Sequence, residues 1–259
     1  MFAAQSHESP PLRRLTRPAG GTIAYHKLDG RSPTVVFLTG LRSDMTGGKA
    51  LALEALCKHR GQGFLRFDYS GHGQSSGRFE ETVIGDWLRD ALLALDTLTS
   101  GPLLLVGSSL GGWIMLLVAT KRPDRVKGLV GIAAAPDFTE DLMWRNFSAE
   151  QRTALTRDGV IYLPSQYDPE PTPVTLAQIE DGKSNLLLGG AIPFDGPVRL
   201  IHGFADPDVP WQTSMRIQDR LTSQDVEIAL VKGAGHRLSE PHDLERMCDT
   251  VAKLCDRLD

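Results

Sequence analysis

The residues whose types and spacing point to chemistry are Gly107-Ser108-Ser109-Leu110-Gly111-Gly112, with Asp206 and His236 far downstream. A serine hydroxyl is a poor nucleophile at neutral pH. It attacks a carbonyl when a general base of pKa about 7 takes its proton and a carboxylate holds that base in the right tautomer. G-x-S-x-G centred on Ser109 supplies the nucleophile. As a bare pattern it arises by chance in roughly one of six or seven chains of this length and glycine content, so its placement decides its meaning. Here it follows the apolar run Leu103 to Val106 and precedes the helical stretch Leu110 to Lys121. A tight strand-to-helix turn lifts the serine clear of the sheet, with glycines two residues to either side to avoid collisions.

The base is expected to be His236, in Gly233-Ala234-Gly235-His236, after the strand-like run Val226 to Val231 and before the last helix. His242 lies six residues on, within the start of that helix. The acid belongs at the carboxyl end of the run Val198 to Ile201, because sites in open parallel sheets gather at that edge. Asp206 leads there, with Asp208 as the local alternative and Asp137, after the run Val126 to Ile132, as the distant one; turn or cap chemistry is the bland reading of each. Two backbone N–H groups complete the machinery as an oxyanion hole: that of Leu110, next after the nucleophile, and that of Leu41, in the loop Thr39-Gly40-Leu41-Arg42-Ser43. Ser109, His236 and Asp206 would then form and hydrolyse an acyl-enzyme, with no metal and no organic cofactor required.

To position these residues the chain needs parallel strands joined by helices, and that alternation is legible. Thr22 to Lys27, after Gly20-Gly21, reads as the second arm of a hairpin, and Thr34 to Leu38 as a strand covered on both faces. Lys49 to Arg60 reads as a helix and Phe64 to Phe67 as a strand. From Thr82, Ile84, Trp87, Leu88, Ala91, Leu95 and Leu98 recur at spacings of three and four, the stripe of one helix face. Regularity fails from about Ala134 to Pro197 and resumes at Val198 to Ile201, Trp211 to Leu221, Val226 to Val231 and Glu240 to Leu258. The expectation is one domain over 1–259, with a cap inserted at 134–197. Within the cap, Met143, Trp144, Phe147 and Leu186-Leu187-Leu188 are candidates to line an apolar acyl tunnel or simply to pack the cap onto the core. Met45, near the expected site, is a further substrate-binding candidate.

Composition narrows the functions. Across 259 residues, 28 Lys+Arg against 32 Asp+Glu give a net charge of -4, which offers no global positive field for nucleic acid or an anionic membrane. No segment approaches the roughly 20 consecutive apolar residues of a membrane span. Cys57, Cys248 and Cys255 are odd in number and form no C-x-x-C, which fits a reducing compartment rather than a disulfide or zinc framework. The first twenty residues carry Arg13, Arg14 and Arg17 but no secretory apolar stretch, and read as a tail leading into an edge strand.

With these residues assembled the sequence resembles the α/β-hydrolase superfamily. Asp68-Tyr69-Ser70-Gly71-His72-Gly73-Gln74-Ser75 is similar to its D-x-x-G-x-G-x-S turn, and His202-Gly203 with Asp206 and Val209-Pro210 to its acid loop; the resemblance implies structural roles for His72 and His202. Arg66 to Gly71, Val106 to Trp113, Pro164-Ser165-Gln166-Tyr167 and Arg199 to Trp211 resemble, more closely, the mitochondrial palmitoyl-protein thioesterase family that also acts as an acyl-glucuronide esterase. That likeness implies a mostly parallel sheet of about eight strands with helices on both faces. It also implies a serine hydrolase acting on a small-molecule ester or thioester or on an acylated protein. The compartment expected is the cytoplasm, or the mitochondrial matrix for a eukaryotic relative. A lyase or perhydrolase with the same triad, and a low-turnover receptor, are the rival functions.

Overall fold

The computed structural model describes residues 9–165 and 169–259; Gln166 and Tyr167, like residues 1–8, lie outside them. Its centre is an eight-stranded sheet formed by β1 (Arg13–Thr16), β2 (Thr22–Leu28), β3 (Arg31–Leu38), β4 (Gln62–Phe67), β5 (Leu103–Ser108), β6 (Val126–Ile132), β9 (Val198–Gly203) and β10 (Val226–Val231). The order across the sheet is β1-β2-β4-β3-β5-β6-β9-β10. The β1–β2 and β2–β4 pairs are antiparallel and the others parallel.

Two-residue periodicity sorts each central strand between two cores. Val36 and Leu38 of β3 and Leu103 and Leu105 of β5 face one cluster; Val35, Phe37, Leu104 and Val106 face the other. The first cluster is covered by α2 (Ile84–Leu98), α3 (Leu110–Lys121) and α6 (Gln212–Arg220), the second by α1 (Gly48–Arg60) and α7 (Pro241–Leu258). Runs with no polar alternation, such as Leu103 to Val106, belong where both faces are covered. The α3 helix is buried on nearly every side, from Leu110 to Ala119, so it holds the turn at Ser109 on a rigid base. Among the described residues no helix is long and apolar enough to cross a membrane.

Between β6 and β9, the stretch read from the sequence as irregular, the chain forms more than loops. A π-helical turn at Thr139–Met143 leads to α4 (Ala149–Asp158), an antiparallel pair of β7 (Val160–Leu163) and β8 (Thr172–Thr175), and α5 (Leu176–Lys183). Phe147, Leu155, Val174 and Ile179 make a small core of their own. Hydrophobic periodicity missed both helices because α4 buries only Leu155. Their starts were nevertheless written in the sequence: Ser148 and Gln151, and Thr175 and Gln178, close reciprocal capping boxes.

Candidate active site

Ser109 stands between the end of β5 and the start of α3 with φ 53° and ψ −118°, a conformation that costs a non-glycine residue energy. Three main-chain hydrogen bonds hold it there. Its N–H donates to the Ile132 carbonyl at 2.9 Å, and its own carbonyl accepts from Gly112 at 2.9 Å and Ala135 at 3.0 Å. The flanking glycines are obligatory: a Cβ on Gly107 would meet the Gly111 carbonyl oxygen at 2.3 Å, and one on Gly111 the Leu38 carbonyl oxygen at 2.0 Å. The turn is thus pressed against β3 as well as β6. Gly40 also comes close to Ser109, since a Cβ there would sit 3.5 Å from the serine Cβ. The loop that carries Leu41 therefore approaches Ser109 through Gly40, and the Leu110 N–H, at the first position of α3, has no intrahelical acceptor.

The loops after β9 and β10 bring the other two groups to Ser109. His236 Nε2 lies 3.1 Å from Ser109 Oγ, and its Nδ1 lies 2.8 Å from Asp206 Oδ2. The Asp206 side chain is fully enclosed, whereas the imidazole remains 15% exposed. Burial alone would raise the Asp206 carboxyl, but hydrogen bonds from His202, His236 and the Val209 amide, with the His236 charge, hold it well below the usual carboxylate range. An ionised carboxylate only accepts, so His236 carries its proton on Nδ1 and presents the Nε2 lone pair to the serine. The second carboxylate oxygen accepts from the Asp208 and Val209 amides, both at 2.9 Å. Asp206, Asp208 and His236 bring possible metal ligands within 4.8 Å of one another, yet the first and third are already engaged with each other and with Ser109.

The alternatives fall elsewhere. Asp208 offers its amide to Asp206. Asp137 takes φ 60° and its carboxylate accepts the Leu187 and Leu188 amides, each at 2.8 Å, so it ties the two ends of the inserted segment together. His242 is 66% exposed on α7, paired with Asp243.

The two histidines read as structural differ in kind. His202 is fully buried: Nδ1 accepts from the Ser214 hydroxyl at 2.8 Å, and Nε2 faces the Val209 carbonyl at 3.0 Å and Asp206 Oδ2 at 3.2 Å. It thereby grips the acid directly, which its place in the H-G-x-x-D stretch alone did not reveal. His72 sits edge-on among Tyr69, Phe79 and Trp87, where burial pushes its pKa down to about 4. Asp68, in the same turn, accepts from the Met45 and Gln74 amides and leaves no space for a Cβ on Gly73.

A narrow crevice with about 10 Å³ of free space, room for about one water molecule, lies between the body and the segment joining β6 to β9, lined by Leu41, Ile84, Trp87, Phe138, Met143 and Val174, among others. Of the expected substrate contacts, Met143 lines it. Met45 does not: it is wholly buried, its main chain fixed by Asp68 and Arg66, so the expectation of a substrate contact there is corrected. Trp144 is likewise outside the lining, its ring taken by the Arg152 and Lys183 cations. Phe147 belongs to the small separate core, Leu188 packs in the main one and Leu186 is exposed. Ile84 and Trp87 were legible only as one helix stripe, since their common wall depends on how the inserted segment docks.

Residues 35–254 match the alpha/beta hydrolase family model. The chain belongs to the α/β-hydrolase family. It is a hydrolase by that membership, and its sheet order and helix layers are those of the family. It is 42% identical over 248 residues to the human mitochondrial palmitoyl-protein thioesterase ABHD10, covering 95% of this chain and 81% of the relative. The solved structure of mouse alpha/beta hydrolase domain-containing protein 10 superposes with TM-score 0.90 at 39% identity, covering 96% of this chain and all of that one. A protein from Agrobacterium vitis S4 gives TM-score 0.90 at 38% identity, covering 95% and 99% of the two chains.

Proposed function

We propose that the protein is a serine hydrolase that cleaves carboxylic esters or thioesters through an acyl-enzyme, with Ser109 as nucleophile, His236 as base and Asp206 as acid. The observation that carries the reading is the unbroken hydrogen-bonded line from Asp206 through His236 to Ser109. Ser109 Oγ attacks the acyl carbon as His236 Nε2 takes its proton, and the Asp206 carboxylate stabilises the imidazolium. The Leu41 and Leu110 amides receive the oxyanion. As the tetrahedral adduct collapses, His236 returns the proton to the leaving alcohol or thiol. Water, deprotonated by the same imidazole, then releases the acid. Preorganised amides on a rigid helix start are worth about 3 to 4 kcal/mol each in such sites.

The largely apolar walls of the crevice, Met143 and Leu41 among them, support an acyl group as its occupant, one that must part those walls to enter. The similar palmitoyl-protein thioesterases support acyl-protein or acyl-thioester substrates, and, being mitochondrial, they favour a mitochondrial location over the cytoplasm expected from the sequence. The test is steady-state hydrolysis of p-nitrophenyl esters and acyl thioesters from C2 to C16, with Ser109→Ala beside wild type. Turnover that falls more than about a thousandfold in the variant is expected. A variant as active as wild type would overturn the assignment, and a flat profile along the acyl series would count against the crevice as an acyl site.

A further inference from the structure

Arg42 follows Leu41 in the loop after β3 and takes φ 53°, a conformation that non-glycine residues rarely hold without external support. Its side chain crosses to the inserted segment: Nη1 donates to the Pro171 carbonyl at 2.8 Å and lies 3.4 Å from Thr172 Oγ1. Thr172 opens β8, which runs directly into Pro173 and Val174. Those two residues and Leu41 line the crevice from different segments, Leu41 from the loop after β3 and Pro173 and Val174 from β8. One exposed guanidinium therefore joins the two segments.

The other polar anchors of the inserted segment reach different parts of the body. Asp137 holds the Leu187 and Leu188 amides, Trp113 donates to the Asn185 carbonyl, Asp181 accepts from the Gly85 amide at the start of α2, Gln178, also in the crevice lining, donates to the Phe79 and Thr82 carbonyls, and Asp141 pairs with Arg216 of α6. These secure the root of the segment and its contacts with α2, α3, α6 and the turn before α2. Of the anchors named, Arg42 alone springs from the loop after β3, beside Ser109.

We propose that Arg42 is a specificity-determining clasp: by fastening β8 to the loop after β3 it keeps the crevice narrow between Leu41 and Val174, and so selects acyl groups of slim cross-section. The inference rests on the hydrolase reading above and names a determinant of its acyl selectivity. A straight chain requires the walls to part less than a ring of equal or greater bulk does.

The experiment compares p-nitrophenyl hexanoate with p-nitrophenyl cyclohexanecarboxylate, which share a leaving group and differ mainly in acyl width, in wild type and in Arg42→Ala, Arg42→Gly and Arg42→Lys. Fluorophosphonate labelling of Ser109 runs alongside. The ratio of kcat/KM for the ring acyl to that for the straight acyl is expected to rise at least tenfold in both Arg42→Ala and Arg42→Gly, chiefly through KM of the ring ester. Arg42→Lys, which keeps a cationic donor, should fall between them and wild type. An unchanged ratio in Arg42→Ala would refute the clasp. So would a wild-type ratio in Arg42→Gly with a changed one in Arg42→Ala, because backbone strain alone would then be the cause. Loss of labelling in Arg42→Ala would also overturn it, as Arg42 would be holding the loop rather than the width. Failure of the hydrolase reading itself would appear differently, as wild type that turns over neither ester.

Discussion

Replacing Asp206 by Asn removes a charge without changing shape, and the surroundings of the carboxylate dictate the outcome. One oxygen accepts two amides, from Asp208 and Val209, while the other faces His236 Nδ1 and His202 Nε2. An amide has a single oxygen. If that oxygen stays with the two backbone amides, the NH2 group faces His236 Nδ1 and is satisfied only when that nitrogen becomes an acceptor. The imidazole proton then moves to Nε2, where it points at Ser109 Oγ and leaves no lone pair to take the serine proton. If the amide turns over, its NH2 confronts two N–H donors, and His202 and His236 compete for one uncharged oxygen. Either arrangement disables the base, so kcat is expected to fall about 10⁴-fold, or about 5 kcal/mol of transition-state stabilisation. The assay is p-nitrophenyl ester hydrolysis at pH 7, with urea unfolding to show that the variant remains folded. Asp208→Asn, which keeps the amide that Asp206 uses, serves as the comparison. Activity within tenfold of wild type in Asp206→Asn would refute the reasoning, and a large loss in Asp208→Asn instead would move the acid to that residue.

Two further outcomes follow from groups outside the triad. Asp137→Asn tolerates the same φ 60° but surrenders one of two acceptors for the Leu187 and Leu188 amides, so unfolding in urea should reveal a loss of about 1 to 3 kcal/mol. A thousandfold fall in kcat at unchanged stability would give Asp137 a role in the chemistry. Burial lowers His72 from its ordinary 6.5 to about 4, so its neutral form is favoured in the fold and acid favours unfolding. Its contribution is fully present above about pH 6.5 and is lost as pH falls through the interval down to 4, about 2 kcal/mol of it between pH 7 and 5. His72→Phe, which retains an aromatic ring among Tyr69, Phe79 and Trp87, should flatten that part of the stability profile measured by urea titration. A slope between pH 7 and 5 identical to wild type would rule His72 out as its source.

Much of this molecule is decided locally. Uninterrupted apolar runs such as Leu103 to Val106 demand cover on both faces, and the stripe from Ile84 to Leu98 demands one, so parallel strands and flanking helices follow from the order of residues alone. The Ser109 turn is local only in part: the contact that excludes a Cβ on Gly107 comes from Gly111, four residues on, whereas the one that excludes it on Gly111 comes from the Leu38 carbonyl of β3. The helices α4 and α5 escaped periodicity, since each buries a single large apolar side chain, Leu155 and Ile179, although their capping boxes lie in plain sequence. What required the tertiary structure was every relation between distant segments. Asp206 leads Asp208 already in the sequence, and the fold supplies the physical reason, turning the first toward His236 and leaving the second to donate its amide. Met45, close in sequence to Leu41, ends up sealed beneath Asp68, whereas Val174, far along the chain, forms a wall of the crevice. His202 changes from a bystander to the second hand on the acid once α6 and the loop around Val209 close over it. Periodicity acts within a few residues and can be read from them. Hydrogen bonds across 30 to 130 positions depend on where separate elements come to rest, and packing against the shared sheet sets those positions.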